Sequence, residues 1–250
     1  MPRATTIQEV LNELDAIIDE SIATNSRLGL FAYIYRRTTA EIASEIALGN
    51  FEDNPRLEAL DVAFANLYLD AYKAHKNNQP VSACWAFAFN QEQEALTILQ
   101  HILLGMNAHI NLDLAVSTAA TMAGKDISAI EADFNKVNDI LFHITNELQD
   151  RLSRVSPLMF LLDLLGATTD EKVIDFSMRK ARQQSWNSAN LLWSLGEDGN
   201  DAAINEIDQV VLRLSQFLKS PKTGVVRFFL NLMHLFETKH VGIVISKLKA

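Results

Sequence analysis

The chain has 250 residues, 48% of them hydrophobic, with only nine Gly and five Pro, which supports a sizeable core and argues against disorder. A net charge of −9 sets aside nucleic-acid binding, which relies on clustered Lys and Arg, and the single cysteine, Cys84, rules out an internal disulfide and a Cys-rich zinc site. Ala, Leu, Ile, Asn, Glu and Lys recur at helical spacing without any strand-and-helix rhythm, so the expected class is all-α.

The N-terminal run MPRATTIQEVLNELDAIIDES carries acids every few residues and no apolar leader core. It reads as an amphipathic helix, not a signal peptide, and the expected location is the cytoplasm. That helix covers about 7–22, with Val10, Leu11, Leu14, Ile17 and Ile18 as its apolar stripe. A second helix runs over about 28–48 and stops at Gly49. A loop over 50–55 leads into a third, about 56–75, ended by KNNQP. Trp85 follows in the short aromatic segment CWAFAF.

From Glu92 to Met122 only Gly105 interrupts an apolar helix that needs other helices on every side. Gly124-Lys125-Asp126 closes it. The next helix spans about 128–155, with Ser128 and Glu131 as an expected capping box and Phe134, Val137, Leu141, Ile144 and Leu148 as its seam. MFLLDLLG is a short apolar piece ended by Gly166, and Thr169-Asp170 begins a helix reaching residue 195. The stretch 196–200 is the most linker-like in the chain. Helices over about 202–218, 225–236 and 241–248 complete a single expected domain of seven to nine helices around 92–122. VVRFFLNLMHLF, in the second of these, is too interrupted to span a membrane and is expected as a core helix, a peripheral membrane role being the weaker reading.

Four polar side chains sit inside the most apolar helix, and buried polar groups need partners. His109 and Asp113 lie ~40° apart on the wheel and ~6 Å apart along the axis, so imidazole and carboxylate project the same way and could share one ion. His101 is on the same stripe but ~12 Å below His109, and needs a separate role. Asn107 and Asn111 form a second i, i+4 pair on another face. In the third helix Asp61 interrupts the stripe of Leu57, Leu60, Phe64, Leu67, Tyr68 and Ala71. A buried carboxylate must be paired, protonated or metal-bound, which makes Asp61 the expected second-helix partner of His109. Glu58 is nearer the rim, and Asp70 lies on the opposite, solvated side. Asn138 flanks the seam of its helix, whereas Asp139 and His143 read as surface residues. Arg179, Arg182, Trp186, Ala189 and Trp193 share one face; Arg182 with Trp186 suits an anionic ligand, or Arg182 neutralises Asp61 or Asp113. His75, His234 and His240 read as surface or capping residues.

Several segments together resemble an uncharacterised bacterial all-α family: Leu60 to Tyr68, Trp85, the GMNAHINLDL run, Asp133-Phe134 with Val137-Asn138, and Arg179 to Trp193. The resemblance covers about residues 28–195 and implies membership, not a reaction. A weaker similarity is to helical zinc hydrolases of the phospholipase C type, which use His-x-x-x-Asp pairs. Those enzymes need more His ligands, and here only His101 and His143 are further internal candidates.

Three functional expectations follow. The first is an enzyme acting on a small molecule, with His109 as acid or base, Asp113 or Asp61 orienting it, Asn107 and Asn111 holding substrate oxygens, and Arg182 holding an anionic group. In its metal form, His109, Asp113 and Asp61 hold one divalent ion of zinc, iron or manganese, which activates water. The second is a non-catalytic protein binding a lipid-like or aromatic ligand between helices. The third is a polar cluster that only specifies packing. A homo-oligomer is compatible with all three.

Overall fold

The structure, a computed structural model, describes residues 2–156, 158, 178–196 and 199–249, without side chains at 142–150 and 178–179. Among the described residues the chain forms helices and no strand: α1 (Ile7–Thr24), α2 (Leu28–Ala47), α3 (Asn54–Lys76), α4 (Ala83–Asn90), α5 (Ile98–Ala108), a π turn (His109–Asp113), α6 (Leu114–Thr121), a 3-10 turn (Ile127–Ile130), α7 (Glu131–Val155), α8 (Met178–Leu195), α9 (Asn200–Lys219), α10 (Gly224–Phe236) and α11 (Val241–Lys249). Where seven to nine helices are expected, the described residues form eleven, partly because the aromatic segment forms α4 and the π turn divides the central helix.

Local chemistry explains most boundaries. The Thr6 hydroxyl accepts the Glu9 N–H at the start of α1, and the Asp53 carboxylate accepts the Arg56 N–H at the start of α3. The central helix starts at Ile98, not at residue 92, because Thr97 and Gln100 form a reciprocal capping box that fixes its first turn. The expected Ser128–Glu131 box does not form. Asp126 takes the Ser128 N–H instead, so a 3-10 turn precedes α7. The apolar piece over 159–166, the helix start at Thr169-Asp170, and the side chains of His143, Ile144, Leu148 and Arg179 lie outside the described residues.

Helices α2, α4 and α9 pack along α5, and α3 and α8 pack along α6, so the central rod is surrounded as its all-round apolarity requires. The contact with α2 is close: a Cβ at Gly105 would stand 2.4 Å from the Phe31 Cγ. A continuous core runs from Val10 and Leu14 of α1 through Leu104 and Leu112 to Val244, Ile245 and Leu248 of α11.

Two buried carboxylates from the C-terminal helices close helix ends in the middle of the chain. Asp208 of α9 accepts the Ala83 and Cys84 N–H groups at 2.6 and 2.8 Å, capping α4. Glu237, just after α10, accepts the Ile98 N–H at 2.8 Å and the Ser156 hydroxyl at 2.6 Å, capping α5. The segment over 225–236 is not the expected core helix. Only Val226, Leu230 and Met233 of α10 are buried, in a small cluster against Leu99 and Leu158. No helix among the described residues is long and apolar enough to cross a membrane.

Candidate functional site

The polar run in the central helix coincides with a change of winding. His109–Asp113 is a π turn, closed by the Leu114 N–H on the His109 carbonyl. Inserting one residue into an α-helix in this way costs regular hydrogen bonding and recurs where side chains must be aimed at a site. Here it brings His109 Nδ1 to 2.9 Å from Asp113 Oδ2, with both side chains buried. The same oxygen accepts the Trp85 Nε1–H at 2.9 Å, so a side chain of α4 fixes the carboxyl that in turn fixes the imidazole.

Aromatic rings surround the imidazole. It stacks on Phe64 with centroids 3.6 Å apart and planes 8° from parallel. Tyr35 meets its edge at 4.4 Å, and Phe31 and Tyr68 stand at 5.8 Å. These rings come from α2 and α3, so two helices converge on one residue of the central rod.

Burial pushes the His109 imidazole well below its ordinary pKa and the Asp113 carboxyl well above, the Trp85 N–H opposing the latter shift and the Asp208 charge adding to it. An apolar surround thus favours the uncharged pair, in which Asp113 donates its proton to Nδ1 and the imidazole proton resides on Nε2. That Nε2 is buried with no partner among the described residues. So are Tyr68 Oη and Asp61 Oδ2, as well as Tyr35 Oη, near which Thr39 lies without hydrogen-bond geometry. Burial, reinforced by Asp61, holds the Tyr35 phenol neutral, and burial does the same at Tyr68.

Asp61 is buried as expected, but it makes no direct bond to His109. Burial raises its pKa to about 7, against the opposing charge of Arg182 and with the repulsion of Glu58. Arg182 is committed elsewhere: it donates to Asn138 Oδ1 at 2.6 Å and to the Phe134 carbonyl at 2.8 Å, and its guanidinium lies over the Phe134 ring, 4.3 Å from the centroid. Burial lowers its pKa to about 9, opposed by Asp61. Trp186 packs against the same ring at 5.0 Å. Asn138, Arg182 and Trp186 therefore join α7 to α8.

The asparagines also bind helices together. Asn107 donates to the Val211 carbonyl and the Ser215 hydroxyl of α9, and Asn111 donates to Asn107 Oδ1. His101 accepts from Arg27 Nη1 at 3.3 Å; burial, Arg27 and His234 depress its pKa to about 3. Asp139 is exposed, Glu58 is half-buried, and Asp70 pairs with Arg3 at 2.7 Å. His75 packs on Phe89, and His234 bonds the Leu96 carbonyl.

Among the described residues no group of three His, Cys, Asp or Glu side chains is arranged to hold a metal ion. His109 and Asp113 bond each other directly, and Asp61 does not complete a set with them. A groove of about 640 Å³ lies on the outer side of α3 and α6, lined by Arg3, Glu58, Asn66 and Ser117 among others, and His109 does not reach it.

The residues that sequence reasoning missed are Phe31, Tyr35 and the role of Trp85. Tyr35 lies in a helix read only for its boundaries, one turn before Thr39, and no local pattern ties it to residue 109. A family model described as "Family of unknown function (DUF5995)" matches residues 7–221. No curated protein and no solved structure matches the chain.

Proposed function

We propose that this chain, which belongs to the DUF5995 family of unknown function, is a small-molecule enzyme whose acid–base group is His109. One observation carries the reading: the imidazole is bonded at Nδ1 and left without a partner at Nε2 among the described residues, as are other buried hydroxyl and carboxyl oxygens. Each such atom costs about 1 to 3 kcal/mol when unsatisfied, a sum that packing alone has no reason to carry. A proton given up at Nε2 is replaced at Nδ1 by Asp113, which moves the resulting negative charge from the imidazole to the Asp113 carboxylate, where the Trp85 N–H stabilises it. Trp85 positions Asp113, and in this reading the unsatisfied Tyr35 and Tyr68 hydroxyls hold a substrate oxygen. Asp61, with its pKa near 7, is a second proton source at neutral pH.

The aromatic walls favour a second reading, a binding protein for an aromatic or lipid-like ligand without turnover. Both readings require small molecules to reach Nε2. Diethyl pyrocarbonate, which acylates uncharged imidazole, tests this in the native full-length protein by peptide mass spectrometry. His109 is expected to be labelled, with the reaction persisting into mildly acidic solution, and the label is expected to vanish in His109→Gln. Complete labelling of exposed His240 with His109 untouched would sink both readings and leave a packing role. Turnover of a substrate panel by wild type and not by His109→Gln separates the enzyme from the binder.

A further inference from the structure

Helix α10 places apolar residues on two sides. Val226, Leu230 and Met233 face inward, while Val225, Phe228, Leu235 and Phe236 are 54%, 62%, 69% and 63% exposed. At 100° per residue these four, with half-buried Leu232, fall within an arc of roughly 100° along one side of the helix. Ile243 of α11 is also exposed. Solvated helices do not usually keep two phenylalanines and two aliphatic side chains in water on one face, so the face calls for an occupant.

Charge identifies that occupant. Residues 220–249 carry Lys222, Arg227, Lys239, Lys247 and Lys249 against a single acid, Glu237, in a chain whose net charge is −9, while Lys219 just before them pairs with Glu94. Glu237 is turned inward onto Ile98 and Ser156, so it does not offset the basic residues at the surface. Lys222 and Lys239 are exposed just beyond the two ends of α10, and Arg227 is exposed roughly 80° round the helix from the nearest residue of its apolar face. Apolar residues along a short helix, with cations at its ends and to one side, match the boundary between acyl chains and acidic headgroups. A second copy of the chain fits poorly. It would bring like charges together.

We propose that α10 and the adjoining start of α11 form a docking surface for anionic phospholipid bilayers. The helix lies in the plane of the interface, held to the body of the protein by its buried side and by Glu237 at the start of the central helix. This function is separate from the chemistry at His109 and stands whether or not that reading holds.

Sedimentation with vesicles of phosphatidylcholine alone, and of phosphatidylcholine with about 30% phosphatidylglycerol, tests the proposal on the full chain. Binding is expected to the anionic vesicles, to weaken steeply between about 0.05 and 0.5 M salt, and to be slight on the neutral ones. Arg227→Gln with Lys239→Gln should weaken it roughly 25-fold, about fivefold per charge, and Phe228→Ser with Phe236→Ser by about tenfold or more. Circular dichroism melts of these surface variants should match wild type. Absence of binding to either vesicle, binding indifferent to lipid charge and to both variants, or a concentration-dependent dimer that the serine variant converts to monomer would overturn the proposal.

Discussion

Asp61 is a carboxyl that the folded chain keeps protonated to about pH 7, chiefly through burial. In the unfolded chain it titrates near 4, so folding takes up a proton between those values. Its contribution to stability is therefore fully present below about pH 4 and is lost as pH rises through 7. Asp61→Asn removes the ionisation while keeping the shape. The stability of this variant relative to wild type is expected to improve by about 2 to 3 kcal/mol between pH 5 and pH 8, read from urea melts. A difference that does not change with pH would mean that Asp61 is already charged in the folded protein at pH 5. The inward placement of Asp61, His109 and Asp113 was legible from the sequence because each interrupts an apolar stripe. The bond from Trp85 was not, since it joins residues 28 apart on different helices and nothing in CWAFAF distinguishes a packing indole from a donating one.

At the scale of the element, periodicity located most helix bounds to within a few residues, but it began the central helix at residue 92, six residues before Ile98, where the Thr97–Gln100 box starts it, and did not mark α4 as a helix. It failed in two further places for physical reasons. A uniform 100° per residue cannot represent the π turn, whose only trace in the sequence is polar pairs on two different faces of a helix buried all round. Hydropathy also cannot distinguish a helix covered on both sides from one covered on a single side, as α10 shows. The crossing of α2 over α5 gives a direct test of how tightly the ring cluster is held. Gly105→Ala gains about 1 kcal/mol of helix propensity but drives a methyl group into the base of the Phe31 ring, which Tyr68 and Trp85 confine from other sides. A net loss on the order of 1 to 2 kcal/mol is expected in denaturant melts, with much of it relieved when Phe31→Leu is added. Stability equal to wild type would show that Phe31 can give way freely.

For the molecule as a whole, the family match ends at residue 221, but the core does not. Val241, Val244, Ile245 and Leu248 are buried in the main core, and the Leu248 carbonyl accepts from Tyr33 of α2 and Arg151 of α7. Each of these aliphatic side chains contributes about 1.5 to 3 kcal/mol, so a chain cut after residue 221 is expected to lose cooperative thermal unfolding by circular dichroism. A sharp melt within a few degrees of the full chain would show that α10 and α11 are accessory. The carboxylates of Asp208 and Glu237 impose an order on synthesis as well. They are 124 and 139 residues downstream of the amides they satisfy, so the first turns of α4 and α5 emerge from the ribosome with those donors open to water. The N-terminal turns of both helices in the middle of this protein are therefore finished only by residues made more than a hundred positions later.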